Sequence, residues 1–383
     1  MAPFTHQYLS NLTPLRGIAA LWVFTFHFNP DLGYFVPESS THLVSKGYLM
    51  VDLFFIMSGF IIMHVYQKSF ESGLNPKNFK RFFVARFARI YPLHLFTLIV
   101  LMLWVWRMDA HPMLSYIMSP AAIPTHLALL HSFGIHDVFT WNVPSWSISA
   151  EWWAYIAFPF LALFLSRWKK PAALVLLLFV VLSYFALMFW LPRKDPFNPA
   201  AIVPHNLDIS FDYGFLRGLA GFVSGMLVYK IYESNLFRKI FQQDWMSLLI
   251  ILPTLYFLHV GINDGFFMIL FSGIVYCFAC NRGTLHSICN FRFAQYLGKI
   301  SYSIYLVSGL VGFSLKSQQI RLPGILINES GGTSAAFLTG LGWFLLILTI
   351  NIGLSSLTYY GIEKPCRKFI NNKWGKEAMP VYA

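Results

Sequence analysis

"LRGIAALWVFTFHF", residues 15–28, decides how the rest of the chain is read. The stretch is apolar enough to enter a bilayer, yet Arg16 stands near one end and His27 near the other. An arginine near the centre of a spanning helix costs roughly 2.5–3.5 kcal/mol on insertion scales. A chain that keeps one there pairs it, buries it against other helices or uses it in chemistry. Eleven residues are close to three helical turns, so both side chains share one face, about 16 Å apart along the axis.

The surrounding composition sets the class. The chain has 383 residues, 57% hydrophobic and only 11% charged, where a soluble domain carries about 25% charged residues. Its net charge of +12 does not point to nucleic acid. The basic residues lie in loops rather than on one continuous face, and they follow the orientation rule of membrane proteins. Apolar runs near the length of a spanning helix fall at about 12–28, 47–66, 90–106, 146–166, 172–191, 214–230, 245–260, 265–281, 295–314 and 335–360. A weaker run at 113–131 is broken by Pro120 and Pro124 and reads as re-entrant or interfacial.

Lysines and arginines concentrate in alternate loops, which places both termini on the cytoplasmic side. The expected fold is all-α, a polytopic membrane bundle of about ten transmembrane helices. Residues 1–11 lack the basic and small-residue signals of a cleavable leader. With no repeat or linker visible, residues 1–383 read as one domain, closed by a short basic tail at about 364–383.

"CFACNRGTLHSIC", residues 277–289, carries Cys277, Cys280, His286 and Cys289. Such a set can hold zinc. A free cysteine at the end of an apolar run also packs as a small hydrophobe, and that role is preferred, so no metal is expected.

Further polar residues interrupt the apolar pattern. His27 reads either as a general base, if held neutral, or as an interfacial side chain reaching for headgroups. In "KGYLMVDLFFIMSGF", residues 46–60, Asp52 needs a cation or backbone donors inside the bundle. Gly47 and Gly59 there allow close helix approach. "FKRFFVARFARIYPLH", residues 79–94, places Arg86 and Arg89 on one helix face beside Arg81. Paired guanidiniums suit phosphate oxygens; an anchor to anionic lipid is the alternative.

"HSFGIHDVFTWNVPSWSISAEWWAYIAFP", residues 131–159, brings His131, His136, Asn142, Ser145, Trp146, Ser147, Ser149 and Glu151 together. The tryptophans suit an interfacial belt or, with the polar groups, the flat faces and hydroxyl edges of a sugar. "LGKISYSIYLVSG", residues 297–309, and "YYGIEKPCRKF", residues 359–369, add Tyr302, Tyr305, Ser308, Glu363 and Arg367 near helix ends.

Taken in order, these segments resemble the acyltransferase 3 family of integral membrane acyltransferases over most of the chain. "LRGIAALWVFTFH" has that family's basic residue, ten intervening positions and histidine. "GYLMVDLFFIMSGFII" is similar to its second-helix motif and "ARFARIYP" to its R-x-x-R-I-x-P segment. "WNVPSWSISAEWWAYIAFP", "YLGKISYSIYL" and "GIEKPCRK" match later landmarks. The chain departs from the pattern at Met50, where many members have glycine, and at Ser308, where many have histidine.

The resemblance implies transfer of an acyl group, most often acetyl, from cytoplasmic acyl-CoA to a hydroxyl of a glycan or lipid-linked sugar. It implies that Arg16, Arg86 and Arg89 hold the CoA phosphates. His27 would deprotonate the acceptor or carry the acyl group itself, with Glu151 as its catalytic partner. Asn142, Trp146 and Ser147 are the implied acceptor-side groups, and Asp52 and Tyr302 are implied to orient or support the site. Acetyl-CoA, a saccharide acceptor and membrane lipids are the expected partners, in a bacterial inner membrane. The "NES" sequon at Asn328 would matter only in a secretory membrane. Two other classes stay open from sequence: a transporter or flippase of a lipid-linked saccharide, suggested by intramembrane charges, and a sensor that keeps the fold without catalysis.

Overall fold

In a bilayer every backbone N–H and C=O must be satisfied within its own segment, which favours helices wherever a long apolar run crosses. A computed structural model describes residues 9–107, 117–195, 205–317 and 334–375, which are helical with no strand among them. In chain order the main helices are α1 (Leu12–Asp31), α2 (Met50–Phe70), α3 (Pro76–Arg107), α4 (Trp146–Phe189) and α5 (Gly214–Glu233). They continue with α6 (Asp244–Val260), α7 (Gly265–Cys280), α8 (Arg292–Ser317), α9 (Ser334–Thr358) and α10 (Lys364–Trp374).

Each of the ten longer apolar runs read from the sequence overlaps one of these helices. By length and composition, four helical stretches among the described residues are apolar enough to cross a membrane: Ser45–Phe70, Pro76–Arg107, Val143–Phe189 and Phe337–Trp374. Helices α6 and α7 are shorter apolar helices.

Two sequence runs, 146–166 and 172–191, form the two helical stretches of α4, which follow one another across a kink. Its backbone breaks at Lys169, where φ is 46° and ψ −115°. Pro171, two residues on, favours the break: it supplies no N–H to bond back to the Arg167 carbonyl, and its ring clashes there. Arg167, Lys169 and Lys170 are exposed at this corner. The described part of the 113–131 run forms only two short pieces, Pro120–Ala122 and Ile123–Leu127, each with a proline in its first turn, where the missing N–H costs nothing. Residues 113–116, Arg321, Asn328 and Lys376 lie outside the described residues.

Helix α5 packs against both α2 and α4, and α1 lies along α8. These contacts are close at glycine. A Cβ on Gly59 would stand 1.8 Å from the Phe222 carbonyl oxygen, and one on Gly225 1.9 Å from that of Ile56. On the other pair, a Cβ on Gly298 would stand 2.0 Å from the Thr13 carbonyl oxygen. Small residues at a crossing let the two backbones meet.

Asp52 finds its cation here. Arg217 of α5 reaches it at 2.6 Å with both side chains fully enclosed. The same guanidinium donates to the carbonyls of Tyr48 (2.9 Å) and Ile209 (2.6 Å) and stands 5.3 Å from the Trp146 ring. Each charge would be costly alone; together with these extra hydrogen bonds they tie α2, α5 and the start of α4 at one point.

Candidate active site

Helices α1 and α8 run side by side, and two cavities follow one another along them. The first, about 810 Å3 with open solvent included, is lined by Arg16, Arg86, Arg89, Ser147, Glu151 and Tyr302, along with Ser58, Tyr155, Tyr305 and apolar neighbours from α2. Five separate stretches of sequence therefore converge on it. The second, about 760 Å3, is lined by His27, Asp31, Trp141, Pro144, Ser308, Gly309, Gly312 and Lys316, with apolar neighbours.

The helical repeat explains the succession. On α1, Arg16 faces the first cavity and His27, three turns on, faces the second. On α8, Tyr302 and Tyr305 face the first, while Gly309, Gly312 and Lys316 continue the same stripe into the second.

The arginines of the first cavity are held differently. Arg89 forms an ion pair with Glu363, whose second oxygen accepts a hydrogen bond from Ser303 at 3.0 Å. Its guanidinium also stands 5.3 Å from the Tyr302 ring. Glu363 closes a π-helical turn, Tyr359–Glu363, between α9 and α10. Arg86 instead stacks on Tyr66 and Tyr155, at 5.3 and 5.8 Å, and donates to the Tyr66 hydroxyl at 3.3 Å. Its Nε is buried without a partner. A buried donor left in this state at a cavity wall calls for an acceptor.

Glu151 belongs to the first cavity and not to His27. One of its oxygens accepts from the Ser58 hydroxyl at 2.7 Å and from the Tyr155 hydroxyl. Tyr302 donates to the Ile90 carbonyl at 2.5 Å, which fixes its ring beside Arg89. His27 is half-buried and touches the Phe26 ring, with centroids 5.0 Å apart. Asp52 is occupied by Arg217 and lines neither cavity.

The segment 142–147 sits between the cavities. Asn142 donates to the Leu306 carbonyl at 3.2 Å and to the Thr97 hydroxyl at 3.1 Å. Ser147 donates to the Tyr305 hydroxyl at 3.0 Å. The turn Val143–Ser145 nests against α8 where it has no side chain: a Cβ on Gly309 would stand 1.9 Å from the Asn142 amide oxygen and 2.9 Å from Pro144 Cδ. Of the three residues read as acceptor groups, then, Asn142 is a buried strut and Ser147 faces the first cavity. Trp146 packs on Phe55 and Arg217 and lines neither.

Sequence reasoning did not single out Trp141, Gly312 or the ion pair of Asp31 with Lys316 (3.4 Å), since none stands in a costly position within an apolar run. It also missed the company His131 keeps. His131, His126 and His94 form a buried parallel stack, with His126 and His131 centroids 3.9 Å apart. Parallel rings cannot aim their lone pairs at one ion, and among the described residues no group of three or more candidate ligands is placed to hold a metal. Cys277, Cys280 and Cys289 are buried free thiols.

These features describe a helical chain suited to a bilayer, with two cavities that carry a few polar groups along the packed pair α1 and α8. The chain belongs to the acyltransferase 3 family: the family's acyltransferase domain matches residues 10–360. It is 23% identical to the putative peptidoglycan O-acetyltransferase YrhL of Bacillus subtilis, over 94% of this chain and 55% of that protein. It is 31% identical to the acyltransferase MdmB of Streptomyces mycarofaciens over 39% of this chain and 38% of that one. With the peptidoglycan O-acetyltransferase OatA of Listeria monocytogenes it shares 23% identity over 50% of this chain and 31% of that one. The chain thus spans about half or less of the length of these relatives. No solved structure matches.

Proposed function

We propose that this protein is a membrane O-acyltransferase, moving an acyl group, acetyl first among them, from cytoplasmic acyl-CoA to a hydroxyl of a glycan or lipid-linked sugar at the outer side of a bacterial inner membrane. In this reading about ten helices span the membrane, with both termini cytoplasmic, and residues 1–383 act as one domain. One observation carries it: Arg16, Arg86 and Arg89 line a single cavity, and the next cavity along the same helix pair holds His27. The names of the relatives, two of them O-acetyltransferases of peptidoglycan, support a glycan as acceptor.

The chemistry follows from the residues present. Guanidiniums bind phosphate through paired, charge-assisted hydrogen bonds, so the arginine cavity takes the nucleotide end of CoA. The flexible arm carries the thioester along α1 toward His27, a rise of about 16 Å. There the imidazole accepts the proton of the acceptor hydroxyl. The oxygen attacks the thioester carbonyl, the C–S bond breaks, and the CoA thiolate leaves and takes up the proton from the imidazolium. An acyl-histidine route would split this transfer into two steps at the same nitrogen. Ser147 and Tyr305, hydrogen-bonded between the cavities, stand on the path of the arm. Glu151, in the first cavity beside Arg86, supports the cation cluster rather than the imidazole.

Binding of acetyl-CoA to the purified protein in nanodiscs tests the reading. Saturable binding, competed by free CoA and retained in His27→Ala, is the expected result. Absence of binding by folded wild-type protein, to acetyl-CoA and to longer acyl-CoAs alike, would overturn it.

A further inference from the structure

Of the residues first read as acceptor groups, Asn142 and Trp146 line neither cavity, and Ser147 faces the arginine cavity. The cavity beside His27 has the features such a site needs. We propose that this second cavity is the acceptor site, that it takes one pyranose ring of the glycan beside an apolar wall to which Trp141 contributes, and that the missing side chain at Gly312 sets the size of ring admitted. The inference rests on the O-acyltransferase reading and gives it a second substrate pocket.

Trp141 lines this cavity from within a packed cluster: it is 4% exposed and lies among Leu98, Leu101, Met118, Ala122 and Phe313. Its backbone lies in the left-handed region, φ 52°, a conformation that costs a bulky side chain of order 1–3 kcal/mol and persists only where the surroundings enforce it. Enforcement is visible: its amide N–H donates to the Ile117 carbonyl at 3.2 Å and its indole N–H to the Ser119 carbonyl at 3.0 Å. With the indole N–H tied off, the small part of the ring that reaches the cavity is apolar. Such surface matches the C–H face of a sugar, whose hydroxyls project at the edge. His27 and Ser308 offer polar atoms for those hydroxyls, and Asp31 with Lys316 forms a charged pair on the same wall. The Ser308 hydroxyl donates to the Tyr305 carbonyl at 2.7 Å, leaving its oxygen free to accept. Few polar groups on a mostly apolar wall is the usual make-up of a small-molecule site.

Gly312 is the position that keeps the space open. Among the described residues a Cβ there would meet only Phe28 Cζ, at 3.8 Å, an ordinary contact. Among the described residues nothing requires glycine at 312, whereas Gly309 one turn earlier cannot carry a side chain without striking Asn142. In a helix interior glycine is less favourable than alanine by about 0.8–1.0 kcal/mol, so its presence at 312 is explained by the cavity it lines and not by the fold.

The test uses full-length protein in native membranes, supplied with radiolabelled acetyl-CoA. The readouts are alkali-labile label in the glycan fraction and, separately, acetyl-CoA binding. Gly312→Leu is expected to bind acetyl-CoA as wild type does while label transfer falls at least tenfold. Gly312→Ala, which no neighbour opposes, shows a smaller loss in the same direction. Trp141→Ala lowers transfer with unchanged acetyl-CoA binding. If Gly312→Leu and Gly312→Ala both transfer at the wild-type rate, the acceptor assignment fails while the enzyme reading stands. If wild type binds acetyl-CoA but labels no glycan, the enzyme reading fails and the acceptor site with it. Should Gly312→Leu lose acetyl-CoA binding, the separation of the two cavities is wrong and the assignment is overturned.

Discussion

Arg86→Ala should cost donor affinity and leave the fold intact, whereas Arg89→Ala should cost the fold first. The difference follows from their partners. Arg86 stacks on Tyr66 and Tyr155, makes one long hydrogen bond and keeps a buried Nε unpartnered. Removing it breaks little within the protein. Against a phosphate it would supply one or two charge-assisted hydrogen bonds, each worth about 1.5–3 kcal/mol. One such bond corresponds to a rise of roughly 10- to 100-fold in Kd.

Arg89 neutralises Glu363, whose side chain is 1% exposed. Leaving that carboxylate buried and alone costs about 3–5 kcal/mol. Adding Glu363→Gln to Arg89→Ala should recover most of the lost stability, because an amide carries no charge to strand. Acetyl-CoA titration and thermal unfolding of the same nanodisc samples separate the two effects. The reasoning is refuted if Arg86→Ala binds acetyl-CoA like wild type while Arg89→Ala melts at the wild-type temperature.

Three further outcomes are expected. Asp52→Ala strands a fully enclosed Arg217 and should destabilise by about 3–5 kcal/mol in thermal unfolding, whereas Asp52→Leu combined with Arg217→Met should lose much less; equal losses would mean the pair is not what holds α2 to α5. Gly309→Ala forces a methyl to within 1.9 Å of the Asn142 oxygen and should cost about 1–3 kcal/mol of stability, and an unchanged melting temperature would show that the turn at 143–145 does not nest on α8. Tyr305→Phe removes the acceptor of the Ser147 hydroxyl without emptying the ring's space, so melting should shift by about 1 kcal/mol or less; a collapse of the fold would contradict the placement.

The helices were legible because hydrophobic runs and their breakers act locally. The run at 90–106 marked α3, although that helix begins earlier, at Pro76, where the basic segment is too polar to register as a span. Pro171 was visible, but whether it ended a helix or only bent one depended on how the stretches either side pack. The arginines were legible because a cation in an apolar run is expensive wherever it sits. Which partner each one meets was not. Glu363 reaches Arg89 only through the π-helical turn at 359–363, a local geometry with no sequence periodicity to announce it. Arg217 was the other in-span cation, and its meeting with Asp52 across 165 residues is a tertiary fact.

The groups read as acceptor-side show what residue type alone leaves open. Trp146 and Asn142 looked available because their residue types suit sugars, but burial is decided by which helices cover them. Trp141 and Gly312 look ordinary in the chain and stand out only through a positive φ and an open wall.

The most direct measurement is transfer of labelled acetyl from acetyl-CoA to membrane glycan by wild type and His27→Ala, with acetyl-CoA binding followed in both. The account predicts that His27→Ala binds the donor but transfers about 100-fold or more slowly, the scale of a lost general base. Transfer by His27→Ala at the wild-type rate would contradict it.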